Sequence, residues 1–384
     1  MSTYIFSLHA GEYRVWEDQV ESRTPLRLFA REALAANVDV DEWFETSRTG
    51  LAFYEEYFGI AYPFEKYDQL IVPDLAIGAM ENAAAVTSAE GFVQRQLSTR
   101  PTHGPEQCHP AQMAHMWFGN LVTKKWWNGL WLNESFATLM SMVAQVEATE
   151  YQEIWHEFFV RWEQSAYRRD GRVTTHPIEV PVASTDDFYS VFDAITYDKG
   201  SSVLRQLSHF VGPENFRAGV SSYLKEHAYA NTTLQDFVNS QAEASGRDLE
   251  AWVEQWLYQP GYNLLQPQIE CGAGRISELS ILQTGYGDAS ILREHRLDVA
   301  LYSTDDNGLV LDAVYDVSIG GEVTVIPQAV GGACPDLVIP NFNDWAYAKV
   351  ILDDLSIATA KKMVTTIADP FARSIVLQSL ADGA

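Results

Sequence analysis

Hydrophobic periodicity changes five times along this chain, and each change limits what the segment can fold into. From Thr3 to about Arg31 apolar residues alternate (Tyr4, Phe6, Leu8; Tyr13, Val15; Leu26, Leu28, Ala30), with Gly11 and Pro25 at the breaks. That pattern predicts β-structure. Asp41 is expected to cap a helical stretch through about Phe58, and Tyr67 to Val72 reads as a short strand leading into a turn at Gly78. From about Pro110 to Tyr258 helical spacing dominates: around His115, Asn133 to about Thr149, Gln152 to Ala166, Lys199 to Phe210, Pro213 to His227, Leu234 to Ala244 and Leu249 to Leu257. Pro260-Gly261-Tyr262-Asn263 is a hard turn signal, after which alternation resumes in Ile276 to Gln283, His295 to Tyr302, Leu309 to Ile319 and Val323 to Pro327. A β-sandwich fits that stretch. Beyond Trp345 the spacing is helical again, in Leu355 to Ala368 and Pro370 to Leu380. The expected fold class is multidomain α+β.

At 384 residues the chain exceeds one compact core of usual size, so two or three domains are expected. Lys+Arg of 26 against Asp+Glu of 52 gives a formal charge of −26, a surface that repels phosphate backbones and anionic lipid. Nucleic acid and membrane are therefore excluded as expected partners. No apolar run approaches a membrane span and Met1 to Tyr4 does not open a signal peptide, which makes a soluble cytoplasmic protein the expectation. Cys108, Cys271 and Cys334 lie far apart without a Cys-x-x-Cys spacing and read as free thiols.

Three short stretches carry chemistry. In Gly78-Ala79-Met80-Glu81-Asn82, small residues before an acid suit an exposed edge that pairs with an extended peptide while the carboxylate holds a cation. His115-Met116-Trp117-Phe118-Gly119-Asn120 is followed by Trp126-Trp127 and by Trp131-Leu132-Asn133-Glu134, which sets a helical histidine nineteen positions before a glutamate. In Tyr197-Asp198-Lys199-Gly200 a phenol stands just before a helix, where it could donate to an oxyanion. Taken one at a time, each has a plain structural explanation: a turn with a surface Glu, a satisfied core histidine, a buried tyrosine.

In this order the three stretches closely resemble the M1 (gluzincin) family of zinc aminopeptidases, the aminopeptidase N type. The resemblance implies the end of an N-terminal β-domain over 1–32, a thermolysin-like, mostly α catalytic domain over 33–262, a β-sandwich over 263–347 and the start of a C-terminal helical domain over 348–384. It implies Gly78, Ala79, Met80, Glu81 and Asn82 as the substrate-binding run, with Glu81 on the free N-terminal ammonium of a peptide and Gly78 and Ala79 aligning its backbone. His115 and Glu134 would be zinc ligands, Asn133 a support behind them, and Tyr197 the donor to the tetrahedral oxyanion. Zinc is the implied cofactor and a peptide with a free N-terminus the implied partner.

The pattern breaks at its centre. The family uses His-Glu-x-x-His, two histidine ligands one helical turn apart with the intervening Glu as general base. Here the run is Ala111-Gln112-Met113-Ala114-His115, so Ala111 stands at the first ligand position and Gln112, a neutral amide that cannot take a proton, at the base position. His109 points well away from the His115 face, and Cys108 returns to it only about 10 Å along the axis. Pro110 is expected to mark the helix start. Two protein ligands fall short of the three that a catalytic zinc has, so zinc binding is not expected of the chain as written. Two functional readings follow: an aminopeptidase scaffold disarmed at Ala111 and Gln112, or a pseudoenzyme that binds peptides or acts as a scaffold.

The break also has a codon-level reading. Pro105 to Ala111 can be encoded CCT GAG CAA TGT CAT CCT GCA, and one base later that string reads Leu-Ser-Asn-Val-Ile-Leu-His, an amphipathic helix ending in the missing histidine. One base restored inside codon 112 yields the missing Glu and rejoins the frame at Met113.

Overall fold

The computed structural model describes residues 2–20, 24–93, 105–150, 152–287 and 291–383. It is a mixed α+β structure in two compact units, one formed by residues 1–154 with 214–247 and the other by residues 155–213 with 248–384.

The first unit is built on a five-stranded sheet of β1 (Tyr13–Val20), β2 (Thr24–Arg31), β3 (Tyr67–Val72), β4 (Ala79–Met80) and β5 (Ala85–Ala89), in the order β1-β2-β3-β5-β4. β1 and β2 form a hairpin with Val15 opposite Phe29, whereas β3 runs parallel to both β2 and β5. Leu26, Leu28 and Ala30 are fully buried on alternate positions of β2, as the period of two requires. The expected strand over Tyr4 to Leu8 does not form. Thr3–Ile5 is a 3₁₀ turn that buries Ile5, and Phe6 and Leu8 are 79% and 86% exposed. Alternation alone could not distinguish a strand from an extended segment lying at a surface.

Three helices carry the core beside the sheet. Val40–Phe58 is capped by Asp39, which accepts from the Glu42 N–H, rather than by Asp41, which lies in the first turn, and it ends at Gly59 in the left-handed conformation. Pro105–Ala114 contains Pro110 inside it, so the proline does not mark the helix start; it removes one intrahelical N–H···O bond instead. Leu130–Ala148 is buried on nearly every face. The three are tied by Tyr54, whose hydroxyl donates to the Pro110 carbonyl (2.8 Å) and to that of Met140 (3.1 Å). Gly50 has no side chain because one would overlap the Met113 thioether. Around this crossing, Tyr54, Phe58, Tyr62, Trp117, Phe118 and Phe136 form one aromatic cluster, with Phe118 and Phe136 stacked at 4.2 Å. A two-residue parallel ladder joins β6 (Thr123–Lys124) to β7 (Asn231–Thr232).

In the second unit, two sheets face one another. One has β11 (Gly308–Ile319), β10 (His295–Asp305) and β13 (Leu337–Phe342); the other has β12 (Val323–Val325), β9 (Arg275–Gly285), β8 (Asn263–Gly272) and β14 (Ala348–Val350). Leu265, Leu279, Ile281, Leu297, Val299 and Val338 fill the space between them. Cys271 and Cys334 form a disulfide with Cα atoms 6.1 Å apart, which corrects the free-thiol expectation for that pair. The separation of 63 positions is closed by the fold: Cys334 N–H donates to the Gly274 carbonyl and Ile276 exchanges hydrogen bonds with Gly331 and Gly332. Residue spacing carries no trace of such a contact. Cys108 lies outside the described side chains. No helix among the described residues is long and apolar enough to cross a membrane.

Candidate active site

Glu81 stands immediately after β4, the outermost strand of the five-stranded sheet, and its side chain is buried. Ala79 and Met80 of β4 pair with Ser88 and Thr87, and their other edge carries no strand among the described residues. Gly78 is exposed and accepts from the Ala89 N–H at 2.9 Å, while the Asn82 side chain accepts from the Thr87 hydroxyl at 2.8 Å. The turn that presents Glu81 is thus held from both sides. Two asparagines hold Glu81 itself. Asn120 donates to its backbone carbonyl at 2.9 Å, and Asn133 donates to its carboxylate at 3.4 Å and to that of Glu134 at the same distance. Asn133 fits there because Gly119, at φ +112°, has no Cβ; one would overlap the asparagine oxygen.

His115 follows the last residue of the helix Pro105–Ala114 and still donates its N–H to the Ala111 carbonyl (3.1 Å), so the two positions lie one turn apart on one face. Its ring is buried. Nδ1 lies 3.1 Å from the Phe118 carbonyl, which can only accept, so Nδ1 carries a proton and Nε2 faces Glu134 Oε2 at 3.7 Å. That separation is too long for a hydrogen bond and short enough for both atoms to ligate one ion.

A catalytic zinc needs a third protein ligand, and the position one turn before His115 offers only the Ala111 methyl group. Among the described residues no third His, Cys, Asp or Glu joins His115 and Glu134 within 4.8 Å. The Gln112 amide oxygen is buried with no hydrogen-bond partner among them. His109 lies outside the described side chains. Among the described residues the ligand set does not fit a catalytic zinc.

Two neighbours were not singled out from the sequence. Tyr4, from the N-terminal 3₁₀ turn, is close enough to Glu81 and Glu134 that burial first, and then their charges, push its phenol well above the usual range. Lys124, on β6, has its Nζ 4.9 Å from the Tyr4 ring centre and 4.8 Å from that of Trp127. Burial pulls its ammonium below the ordinary lysine value, and Glu134 and Glu81 pull the other way. The one hint in the sequence is Lys124-Lys125 between the apolar Val122 and Trp126, where strand alternation must turn one lysine inward.

Tyr197 belongs to the second unit, in a π-helical turn over Ile195–Lys199 that leads into the helix Gly200–Val211. Its ring is half-buried, edge-on to Phe192 at 5.1 Å. Lys199 anchors that turn: its Nζ lies 2.8 Å from Asp170 and donates to the Gly261 carbonyl at 3.0 Å. Burial lowers the Lys199 ammonium to about 8 despite Asp170, and burial together with Asp193 and Glu163 raises Asp198 to about 8.

A family profile described as "Peptidase family M1 domain" matches residues 43–256. The chain is 40% identical to aminopeptidase N of Streptomyces lividans over 100% of its own length and 46% of that protein's. It is 36% identical to tricorn protease-interacting factor F2 of Thermoplasma volcanium over 69% of this chain and 34% of the relative. It is also 36% identical to leucyl aminopeptidase of Saccharolobus solfataricus, over 70% of this chain and 34% of the relative. The chain therefore spans less than half the length of these curated relatives.

Proposed function

The chain belongs to peptidase family M1, and from that premise we propose that it is an aminopeptidase scaffold that captures the free N-terminus of a peptide and, as written, does not hydrolyse it. Glu81 takes the α-ammonium, and Gly78, Ala79, Met80 and Asn82 align the peptide along the open edge of β4. Tyr197 is the group assigned to a developing oxyanion. The family's aminopeptidases are zinc metallopeptidases, and His115 and Glu134 are the two ligand positions that remain.

One observation carries this reading. The carboxylate that would hold an amine is buried, with Asn133 on the carboxylate and Asn120 on the same residue's backbone carbonyl, while among the described residues no third His, Cys, Asp or Glu joins the neighbouring His115 and Glu134. Recognition is built and hydrolysis is not. Losing the base alone removes about 10² to 10⁴-fold in rate, and losing the metal removes more.

The test compares the chain as written, Glu81→Gln, and the pair Ala111→His with Gln112→Glu. Calorimetry with a leucyl peptide and its N-acetylated form should show binding of the free amine only, lost in Glu81→Gln. Zinc content and leucine anilide hydrolysis should appear only in the paired variant. Stoichiometric zinc and turnover in the chain as written would overturn the proposal. A second reading follows from codons that residues 105 to 112 permit: a displaced frame that, once corrected, restores His and Glu. Sequencing of the gene across codons 100 to 113 decides between them.

A further inference from the structure

His9 has no part in the reading above, yet it reaches the peptide-aligning run through a single side chain. The turn after Glu81 is fixed in its backbone: the Asn82 carbonyl accepts from the Ala85 N–H at 3.0 Å, and the Ala84 carbonyl accepts from the Asp68 N–H at 3.0 Å. Ala84 sits in the left-handed region at φ +58°, which a residue with a Cβ adopts only where its surroundings impose it. Some of those surroundings come from the N-terminal segment. The Ala83 N–H donates to the Ile5 carbonyl at 3.0 Å, and four residues further along each segment His9 Nε2 lies 3.2 Å from Thr87 Oγ1. The segment from Ile5 to His9 therefore runs beside residues 83–87 in the same direction.

A backbone held in this way leaves the direction of the Asn82 amide to be settled, and Thr87 settles it. The Thr87 hydroxyl donates to Asn82 Oδ1 at 2.8 Å. A hydroxyl has one proton, so with that proton on Asn82 the Thr87 oxygen only accepts, and the His9 contact is Nε2–H donating to Oγ1. Without a donor at His9, Thr87 can equally accept from a flipped amide, which exchanges Oδ1 for Nδ2 at the far side. Thr87 and Asn82 are buried, whereas the His9 ring is half-buried. An amide is planar, so holding Oδ1 also holds Nδ2, and Asn82 Nδ2 donates to no group among the described residues. A buried amide with a spare donor, two positions beyond β4, suits a carbonyl brought by a ligand.

We propose that His9 is a positioning residue for the peptide: through Thr87 it aims the Asn82 amide so that Nδ2 donates to a backbone carbonyl of a chain lying along the β4 edge. This rests on the assignment of residues 78–82 to peptide alignment. His9 itself touches no ligand. It supplies the N–H that keeps the Thr87 proton on Asn82, and the tautomer of one imidazole thereby sets which end of an amide the peptide meets.

The tautomer and the affinity are read separately. In nitrogen-15 NMR of the full chain above about pH 8, where an imidazole is neutral, His9 should carry its proton on Nε2. A proton on Nδ1 overturns the proposal whether or not peptide binds. Calorimetry with a free leucyl peptide should show affinity lowered about fivefold in His9→Leu and in Thr87→Val, the worth of one neutral hydrogen bond. The half-buried ring makes His9→Leu a mild change for the fold, so its thermal midpoint should move no more than that of a surface substitution.

A cycle with Asn82→Ala separates positioning from packing. In that background His9→Leu should change affinity no further, since the amide it aims is gone. A fivefold loss that persists without Asn82 overturns the role of His9. If Glu81→Gln abolishes binding and His9→Leu does not weaken it, His9 is overturned and the peptide reading stands. If the unsubstituted chain binds no peptide, that reading falls and the proposal with it.

Discussion

Two lysines are buried among the described residues, one in each unit, and they have been buried by different means. Lys199 touches its counter-ion: Asp170 lies 2.8 Å away and itself accepts from Thr175 and the Gly261 N–H. The Lys124 ammonium lies over two ring faces and makes no hydrogen bond among the described residues. Lys199 is closed within the chain by an ion pair, whereas Lys124 is held against aromatic rings.

Breaking the closed pair should have the largest effect. Lys199→Met strands the buried Asp170 carboxylate and should cost about 3–5 kcal/mol in urea unfolding of the second unit. A loss as small as that of a surface lysine would show that water reaches Asp170. The second unit also has a covalent tie, and paired Cys271→Ser and Cys334→Ser should lower its stability by about 2–4 kcal/mol. Reductant added to the unsubstituted chain should reproduce that loss, followed by fluorescence, without moving the first unit's transition.

On the open side, Gly119→Ala forces a side chain into Asn133 and a left-handed backbone onto alanine, at a cost of about 1–3 kcal/mol. Because Asn133 also bonds Glu81, the free-amine affinity should fall with the stability, which calorimetry checks. The smallest effect is expected in acid. Burial works against ionisation of Asp193, but hydrogen bonds from His176, Arg169 and the Ile195 N–H outweigh it and hold the carboxyl at about 2. A depressed carboxyl contributes stability that is present above its unfolded value and lost as pH falls through the folded one. The loss therefore falls between about pH 4 and pH 2. Asp193→Asn should flatten the urea midpoint across that window.

Much of the fold could be read in advance where it depends on neighbours in the chain. The strands at Arg275–Gly285, His295–Asp305 and Gly308–Ile319 fall where alternation resumes after Pro260-Gly261, and the helix Leu130–Ala148 covers the stretch named from Asn133. The approach of His115 to Glu134, 3.7 Å apart, was expected from the nineteen-position spacing of the motif and not from local pattern, since a strand and a 3₁₀ turn lie between their two helices. The turn at Thr3–Ile5, the helical residues before Pro110 and the Cys271–Cys334 bond were not, since each depends on what packs there from elsewhere. Asn120 lies inside the motif that was read, yet its bond to the Glu81 carbonyl spans 39 positions and leaves no mark on spacing.

By itself the sequence determined the periodicities, the order of the three chemical stretches and the presence of Ala111 and Gln112 one helical turn before and three positions before His115. Those are properties of backbone geometry and residue type, which act over a few positions. Only the tertiary structure decided which charges lose their water and which regain a partner: Lys199 with Asp170, Glu81 between two asparagines, Lys124 between two rings. Desolvation depends on atoms brought together from distant parts of the chain, and no local pattern encodes it.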